Sequence, residues 1–374
     1  MTFKVKALKD IATVTMGQSP KSEYYNNEEK GIPFLQGVRT FGEIFPEIDT
    51  YTTKAAKIAE KGDILFTVRA PVGEVNIAPC NLCIGRGLAA ISSNNQKFLY
   101  YLLKNNKSNY ENFSTGTIYS SINKGTLENL EFLIPDEESC IKISDILYNL
   151  DQKIILNNKI IANLEAQAQA IFKSWFIDFE PFRDGEFIDS ELGRIPEGWK
   201  VSTTGDEFII TYGKNLPTKK LLSNGYPVFG GNGKIGYYSE YLYEKPRILV
   251  SCRGAASGKV IISTPFSFIT NNSLVFNEIE DEYFYYFINL FNNIEFETYV
   301  TGSAQPQLTI SNSKNIKIIK PKIETIRAFN KICEPMFNLQ YKLNQQNNIL
   351  NTLRDTLLPK LMSGEIDVSQ ISID

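Results

Sequence analysis

The chain has 374 residues, of which 43% are hydrophobic and 22% are charged, and its formal net charge is −3. This length allows two or three domains with separate cores, and the slight acidity disfavours a broadly basic DNA-coating protein while leaving room for local basic patches. The chain has no membrane-length apolar run and no signal-like N-terminus, so we expect no membrane association and a cytoplasmic location. Its number of cysteines is odd, so we expect no disulfide framework. It has no histidine, which is the commonest general base and metal ligand.

Two successive copies of one unit cover the whole chain. The matching parts of the first copy are segments 3–17, 31–34, 63–69, 98–103 and 114–117 and Pro135. Their counterparts in the second copy are, in the same order, segments 199–213, 225–228, 247–253, 283–288 and 300–303 and Pro321. The order is kept and the offset drifts by only a few residues. An internal repeat of this kind predicts a duplicated architecture.

The first part of each copy is predicted to be a mixed, β-rich domain. Short β-branched and aromatic runs, such as 63–68 and 248–252, lie between Gly, Pro and Asn residues. Segments 98–103 and 283–288 are each predicted to form one short helix.

The second part of each copy carries a heptad pattern that predicts a long helix. The first helix has the inward series Leu147, Ile154, Ile161, Ala168 and Trp175, with Leu150, Asn157, Leu164 and Ile171; the second has Met336, Leu343, Leu350 and Leu357, with Ile332, Leu339, Gln346 and Leu353. Sustained heptads favour a coiled coil over ordinary core helices.

Each helix has one polar interruption near its middle, Asn157 in the first and Gln346 in the second. We assign them to equivalent repeat positions and expect their side chains to hydrogen-bond, which would fix the register of the helix pair at some cost in stability.

The predicted fold class is α+β, with two mixed β-rich domains joined by the two helices of a coiled coil. The expected boundaries are a first domain at 1–138, a first helix at 139–178, a linker at 179–198, a second domain at 199–321, and a second helix and tail at 322–374.

Several short strings imitate catalytic or metal-binding motifs. Residues 229–233 (FGGNG) resemble a methyl-donor loop, and 254–259 (GAASGK) resemble a phosphate-binding loop, but neither has the required context. Cys80 and Cys83 have zinc-like spacing without a second pair of ligands, and the repeat replaces them with Pro265 and Phe268. Since no nuclease cluster is apparent either, we expect no catalytic residue and no metal ligand in this chain.

Three stretches resemble the hallmark segments of type I restriction-modification specificity subunits: 171–182 (IFKSWFIDFEPF), 191–199 (ELGRIPEGW) and 353–366 (LRDTLLPKLMSGEI). The resemblance implies two target-recognition domains, each reading half of a bipartite, asymmetric site on double-stranded DNA. It also implies that the two helices form an antiparallel coiled coil, which spaces these domains and docks two modification subunits. Those subunits bind S-adenosylmethionine and methylate adenine N6. Restriction subunits would use ATP and Mg, so no cofactor is expected in this chain.

An aromatic cluster follows the first helix: Trp175, Phe176, Phe179 and Phe182. Its side chains either pack in the core of the following domain or dock a partner subunit.

Candidate DNA-binding residues are polar side chains in the Gly-punctuated loops. They are Gln18, Gln36, Arg39, Arg69, Arg86, Thr117 and Ser120 in the first domain, and Lys214, Asn232, Lys234, Arg253, Asn271, Asn272, Gln305 and Gln307 in the second. Arg matches guanine O6 and N7, whereas Asn and Gln match adenine N6 and N7. Arg69 and Arg253 share a repeat position, so they are either base readers or a common backbone clamp.

Two other functions stay open at this point. The chain could be a coiled-coil adaptor, or a specificity protein that serves a methyltransferase without an active restriction subunit. A methyltransferase or nuclease activity in the chain itself is disfavoured because the cofactor and catalytic motifs are missing.

Overall fold

A computed structural model describes residues 1–113, 121–302 and 306–369. The chain forms two compact units, one made of Met1–Asn157 with Gln345–Asp374 and the other of Asn158–Asn344. Each unit contains one β-rich domain, one half of the first long helix and one half of the second.

The first unit contains eleven strands, two short helices and the start of a long helix. The strands are β1 Phe3–Ala7, β2 Thr13–Met16, β3 Tyr25–Asn26, β4 Ile32–Leu35, β5 Tyr51–Thr52, β6 Ile58–Ala59, β7 Ile64–Thr67, β8 Val75–Ile77, β9 Leu82–Ile84, β10 Leu88–Ser92 and β11 Glu131–Pro135. The helices are α1 Gln96–Asn105, α2 Lys124–Glu128 and α3 Glu137–Phe176.

The sheets of the first unit explain its apolar strand sequences. The order β2-β10-β7-β8 forms one sheet, β3-β5-β4-β9-β6 forms a second, and β1 pairs with β11. Strand β7 is buried throughout because it separates two cores: Ile64 and Phe66 face the core that contains α1, and Leu65 faces the smaller core near β9. Alternation with period two therefore buries both faces of this strand.

The second unit repeats this plan. Its strands are β12 Phe187–Ser190, β13 Gly193–Pro196, β14 Lys200–Thr203, β15 Phe208–Tyr212, β16 Tyr226–Gly230, β17 Gly233–Tyr238, β18 Ile248–Ser251, β19 Val260–Ile262, β20 Phe268–Ile269, β21 Ser273–Glu278 and β22 Lys317–Lys320. Its helices are α4 Thr204–Glu207, α5 Phe284–Phe291, α6 Ile310–Lys314 and the start of α7 Ile323–Ser363. The β15-β21-β18-β19 sheet and the β14–β22 pair reproduce the first unit strand for strand, so the predicted duplication is confirmed.

Both long helices complete the core of the domain beside them. In the first unit Ile143 and Leu147 of α3 share a core with Leu361 of α7. The two segments are antiparallel there, since Asp151 bonds Arg354 whereas Asn157 bonds Asn347. In the second unit Phe172 and Phe176 of α3 pack against Phe329 of α7. The predicted long helices are confirmed.

The predicted heptad register is correct for α3 but one residue out for one series of α7. Leu147, Ile154, Ile161 and Ala168 are buried as expected. Ile332, Leu339, Gln346 and Leu353 are instead exposed, and the buried series is Cys333, Gln340, Asn347, Arg354 and Leu361. Hydrophobicity misled the assignment because α7 buries polar side chains, two of which have partners on α3.

This shift also corrects the proposed equivalence of Asn157 and Gln346. Both helices begin two residues after matching prolines, Pro135 and Pro321. Counted from these starts, the counterpart of Asn157 is Leu343. The two amides are therefore not repeat equivalents.

Among the described residues, no helix combines the length and the apolar character needed to cross a membrane.

Candidate nucleic-acid interface

Backbone hydrogen bonds bring the candidate loops of the first unit together at one edge of its sheets. The Gln18 N–H donates to the Ile84 carbonyl at 2.9 Å, and the Gly85 N–H donates to the Leu35 carbonyl at 2.8 Å. The Val68 N–H donates to the Gly87 carbonyl at 2.9 Å. The loops that carry Gln18, Gln36, Arg69 and Arg86 are thereby neighbours, and all four of these side chains are exposed.

Ser19 ties two of these loops and was missed by sequence reasoning. Its hydroxyl donates to Gln36 Oε1 at 3.0 Å and accepts from the Arg86 N–H at 3.1 Å. A Cβ at position 85 would lie 2.6 Å from Gln36 Oε1 and 3.0 Å from Gln36 Cα, so a larger residue there would displace the Gln36 side chain. A serine in a polar loop carries no sequence signal for such a role.

Arg39 lies in the same region and is fixed by an ion pair. Its Nη1 and Nη2 donate to the two oxygens of Asp49 at 2.7 and 2.8 Å. The hydrogen bond from Arg39, with one from Thr50, lowers the pKa of the Asp49 carboxyl. Gln36, Arg39 and Arg86 line one cavity of about 400 Å³.

The second unit assembles its loops with the same backbone bonds. The Lys214 N–H donates to the Ile269 carbonyl, and the Thr270 N–H donates to the Phe229 carbonyl, both at 2.9 Å. The Cys252 N–H donates to the Asn272 carbonyl at 2.9 Å. Lys214, Arg253, Asn271 and Asn272 are thus brought together on a frame that matches the first unit.

Other polar candidates of the second unit are held by local contacts. Lys259 Nζ donates to Asn232 Oδ1 at 2.5 Å, and Lys234 Nζ lies 4.5 Å from the centre of the Tyr237 ring. Lys259 was not predicted as a candidate, because its segment, 254–259, only resembles a phosphate-binding loop. Gln307 exchanges backbone hydrogen bonds of 2.9 Å with Thr301.

Arg69 and Arg253 occupy equivalent places in the two units. Each follows a central strand and forms a single antiparallel bridge, Arg69 with Ser121 and Arg253 with Gln307. Both are exposed. Thr117, Ser120 and Gln305 lie outside the described residues.

The imitation motifs have structural explanations. Gly231 and Asn232 form the turn of the β16–β17 hairpin, so a strand follows where a cofactor loop needs a helix. Cys83 is a buried strand residue that pairs with Phe34, and its repeat counterpart Phe268 pairs with Val228. The described residues include no group of three or more Cys, Asp or Glu side chains able to hold a metal ion.

The aromatic cluster after α3 belongs to the core of the second unit. Phe176 is only 5% exposed, and its ring centre lies 5.7 Å from that of Trp199. The rings of Trp175 and Phe182 pack edge to face, with their centres 6.2 Å apart. Phe179 and Phe182 also contact Trp199. Of the two alternatives for these rings, partner docking and core packing, the contacts support core packing, because Trp199 of the following domain supplies the facing ring.

Polar contacts between the helices of the first unit fix their register and orient the domain. Asn157 Nδ2 donates to Gln346 Oε1 at 2.9 Å and to Asn347 Oδ1 at 2.8 Å. Arg354 of α7 is bonded to Asp151 of α3 at 2.7 Å.

A domain side chain joins this ion pair. Asp151 accepts a hydrogen bond of 2.6 Å from the Tyr101 hydroxyl on α1. Burial and the Asp151 charge raise the pKa of Tyr101, which keeps its hydroxyl a donor. The domain that carries the candidate loops is therefore fastened to both helices by one buried polar network.

Comparison with known proteins identifies the family. The model of the type I restriction modification DNA specificity domain matches residues 1–166 and 196–354. The MjaIX specificity subunit of Methanocaldococcus jannaschii is 30% identical over 99% of this chain and 94% of its own length. The HindI specificity subunit of Haemophilus influenzae is 26% identical over 84% of this chain and 88% of its own.

A solved structure supports the same fold. The crystal structure of the type I restriction-modification S subunit from M. genitalium superposes with a TM-score of 0.64 at 19% identity, covering 96% of each chain. Together with the duplicated domains, these matches show that the chain belongs to the family of type I restriction-modification specificity subunits.

Proposed function

We propose that the chain reads a bipartite, asymmetric site on double-stranded DNA and has no catalytic activity of its own. The target-recognition domains are 1–138 and 199–321, and each reads one half-site. The helices 139–178 and 322–374, with the linker 179–198, connect the two domains in the chain.

The observation that carries this proposal is that the two units share the same backbone hydrogen bonds between their candidate loops but differ in the side chains that those loops carry. The same backbone bonds hold Gln18 in one unit and Lys214 in the other, and Arg86 stands where Asn271 stands. Arg and Asn favour different bases in the major groove. Two copies with unlike side chains are suited to an asymmetric target.

Partner subunits supply the chemistry in this proposal. Two modification subunits bind S-adenosylmethionine and methylate adenine N6, and restriction subunits use ATP and Mg. They dock on large apolar residues that the long helices leave exposed: Leu156, Ile349 and Leu353 in the first unit, and Ile332 and Leu339 in the second. Exposed apolar patches on soluble proteins commonly mark such interfaces. The complex works in the cytoplasm.

The test is a map of N6-methyladenine across a host genome with and without the chain. A bipartite methylated motif should disappear on deletion and return with the wild-type chain. Unchanged methylation would contradict the proposal.

Arginine variants in the same experiment distinguish a side chain that contacts a base from one that contacts a phosphate. If Arg253 reads a base, Arg253→Ala should relax one position of one half-site, and Arg69→Ala one position of the other. A phosphate clamp would instead weaken binding to all sequences equally. Arg194→Ala, in the exposed β12–β13 hairpin, is the matched control.

A further inference from the structure

Hydrogen bonds from Thr50 and to Asp49 hold the Arg39 side chain in one orientation. The Phe34 N–H donates to the Thr50 carbonyl at 2.8 Å, which holds this segment against β4. The Thr50 hydroxyl donates to Asp49 Oδ1 at 2.8 Å, and Arg39 supplies two further donors. The carboxylate is therefore oriented by three hydrogen bonds.

The ion pair leaves one edge of the guanidinium for a ligand. Asp49 is bonded through Nη1 and Nη2, which form the end of the fork. The side edge, with Nε–H and an outer N–H, still offers two parallel donors. Guanine O6 and N7 accept such a pair of donors.

The charge balance of the Arg39–Asp49 pair favours a base over a phosphate as its ligand. The pair is formally neutral, so it adds little to the counterion release that drives phosphate binding. The Arg39 side chain is 71% exposed, and beside it Gln36, Arg86 and Thr50 line the cavity of about 400 Å³. The edge of a base that approaches this cavity would meet N–H donors of Arg39 that are already oriented by Asp49.

We propose that Asp49 is a positioning residue that makes Arg39 the reader of one guanine in the first half-site. This inference rests on the proposed function. Asp49 acts only through Arg39, by restricting its rotamers and cancelling its charge.

The experiment uses the complex reconstituted with its modification subunits and a DNA library of randomised sequence, with methylated products sequenced. Arg39→Lys keeps the charge but removes the fork, and Asp49→Asn removes the carboxylate. Asp145→Asn removes an equal charge from another partly exposed pair, with Lys97 at 3.0 Å, and serves as the control.

Both variants should relax the same guanine position by about tenfold to a hundredfold, the range that one bidentate contact provides. Asp49→Asn should also strengthen binding to DNA that lacks the motif and steepen its salt dependence by about one phosphate contact. The control should change neither the motif nor the salt dependence.

A guanine preference that survives either substitution would overturn the inference, as would equal loss at every position. Thermal unfolding of each variant checks its fold, and Arg39→Lys alone still tests the guanine reading if Asp49→Asn does not fold. A wild-type complex that methylates without any bipartite motif would refute the proposed function itself, which is a distinct result.

Discussion

Arg354 is a charged residue in an interior position, and its surroundings account for it. It is 5% exposed, and it bonds Asp151 at 2.7 Å, Glu43 at 2.9 Å and Asp355 at 2.9 Å. These hydrogen bonds raise the pKa of Arg354 against the opposing effect of burial. A buried charge is tolerated when its partners replace the lost water.

Removing Arg354 should therefore be costly. Arg354→Met leaves Asp151, itself 2% exposed, without its counter-charge, and we expect a loss of about 3–5 kcal/mol in the free energy of unfolding. Asp355→Asn is the control and should cost less than about 1 kcal/mol, because that carboxylate is 62% exposed. Urea unfolding measures both. Equal losses in the two variants would contradict the assignment.

Asp136 makes the fold sensitive to acid. Its oxygens accept from the N–H groups of Thr2 and Ser139, and these bonds lower the pKa of the carboxyl well below its usual range. A lowered pKa in the folded state stabilises the fold above the unfolded pKa of about 3.9, and this contribution is lost as the pH falls towards the folded pKa.

Asp136→Ala should accordingly lower the thermal midpoint at pH 7, by an amount that shrinks as the pH falls below about 4. Midpoints measured across pH test this, with Asp189→Ala, at a 96% exposed side chain, as the control. A difference between wild type and variant that is independent of pH would rule out the charge effect.

Among the elements, the long helices show where sequence patterns succeed and where they fail. The register of α3 follows from its apolar residues. That of α7 does not, because Gln340, Asn347 and Arg354 fill inward positions while Ile332 and Leu353 face outward. The correct register of α7 could have been found only by aligning the two helices from their starts, which lie two residues after Pro135 and Pro321.

The loops show the same limit at the site. Gly-punctuated segments predicted which loops carry candidate polar side chains, but not that these loops meet through backbone hydrogen bonds. Ser19, Asp49 and Lys259 were missed, since each acts through a partner at least ten residues away, which local sequence does not reveal.

The Asn157 contact gives a prediction for the helix pair. Asn157→Leu removes the donor to buried Asn347 Oδ1 and should cost about 1–3 kcal/mol in unfolding free energy. Adding Asn347→Leu should recover part of that loss, because the two buried amides are then replaced by apolar side chains, while the exposed Gln346 can bond to water. A double variant less stable than the single one, in chemical denaturation, would exclude this explanation.

For the whole molecule, the net charge of −3 implies that assembly matters for DNA affinity. A chain with little excess positive charge gains little from counterion release overall, so in the proposed complex we expect partner subunits to provide further phosphate contacts. The exposed apolar residues of the helices are where we expect those partners.

Charge placed on this surface should disrupt assembly without disturbing the fold. Ile349 is 67% exposed and Leu353 is 42% exposed, one helical turn apart on α7. Ile349→Glu and Leu353→Glu should each weaken binding of the modification subunit about tenfold or more in a titration, with unchanged unfolding of the isolated chain. Asn348→Glu, at an exposed polar position, is the control. Wild-type affinity in both apolar variants would place the docking surface elsewhere.

The division of the chain into units has a consequence for its biosynthesis. The second unit is one uninterrupted stretch, Asn158–Asn344, whereas the first also requires residues from Gln345 onward. Ribosomal synthesis usually lets the earlier domain fold first. Here the core of the domain that emerges first is complete only when the segment that carries Leu361 has been made, because Ile143 and Leu147 share that core with Leu361. We therefore expect that the later domain can finish folding before the earlier one.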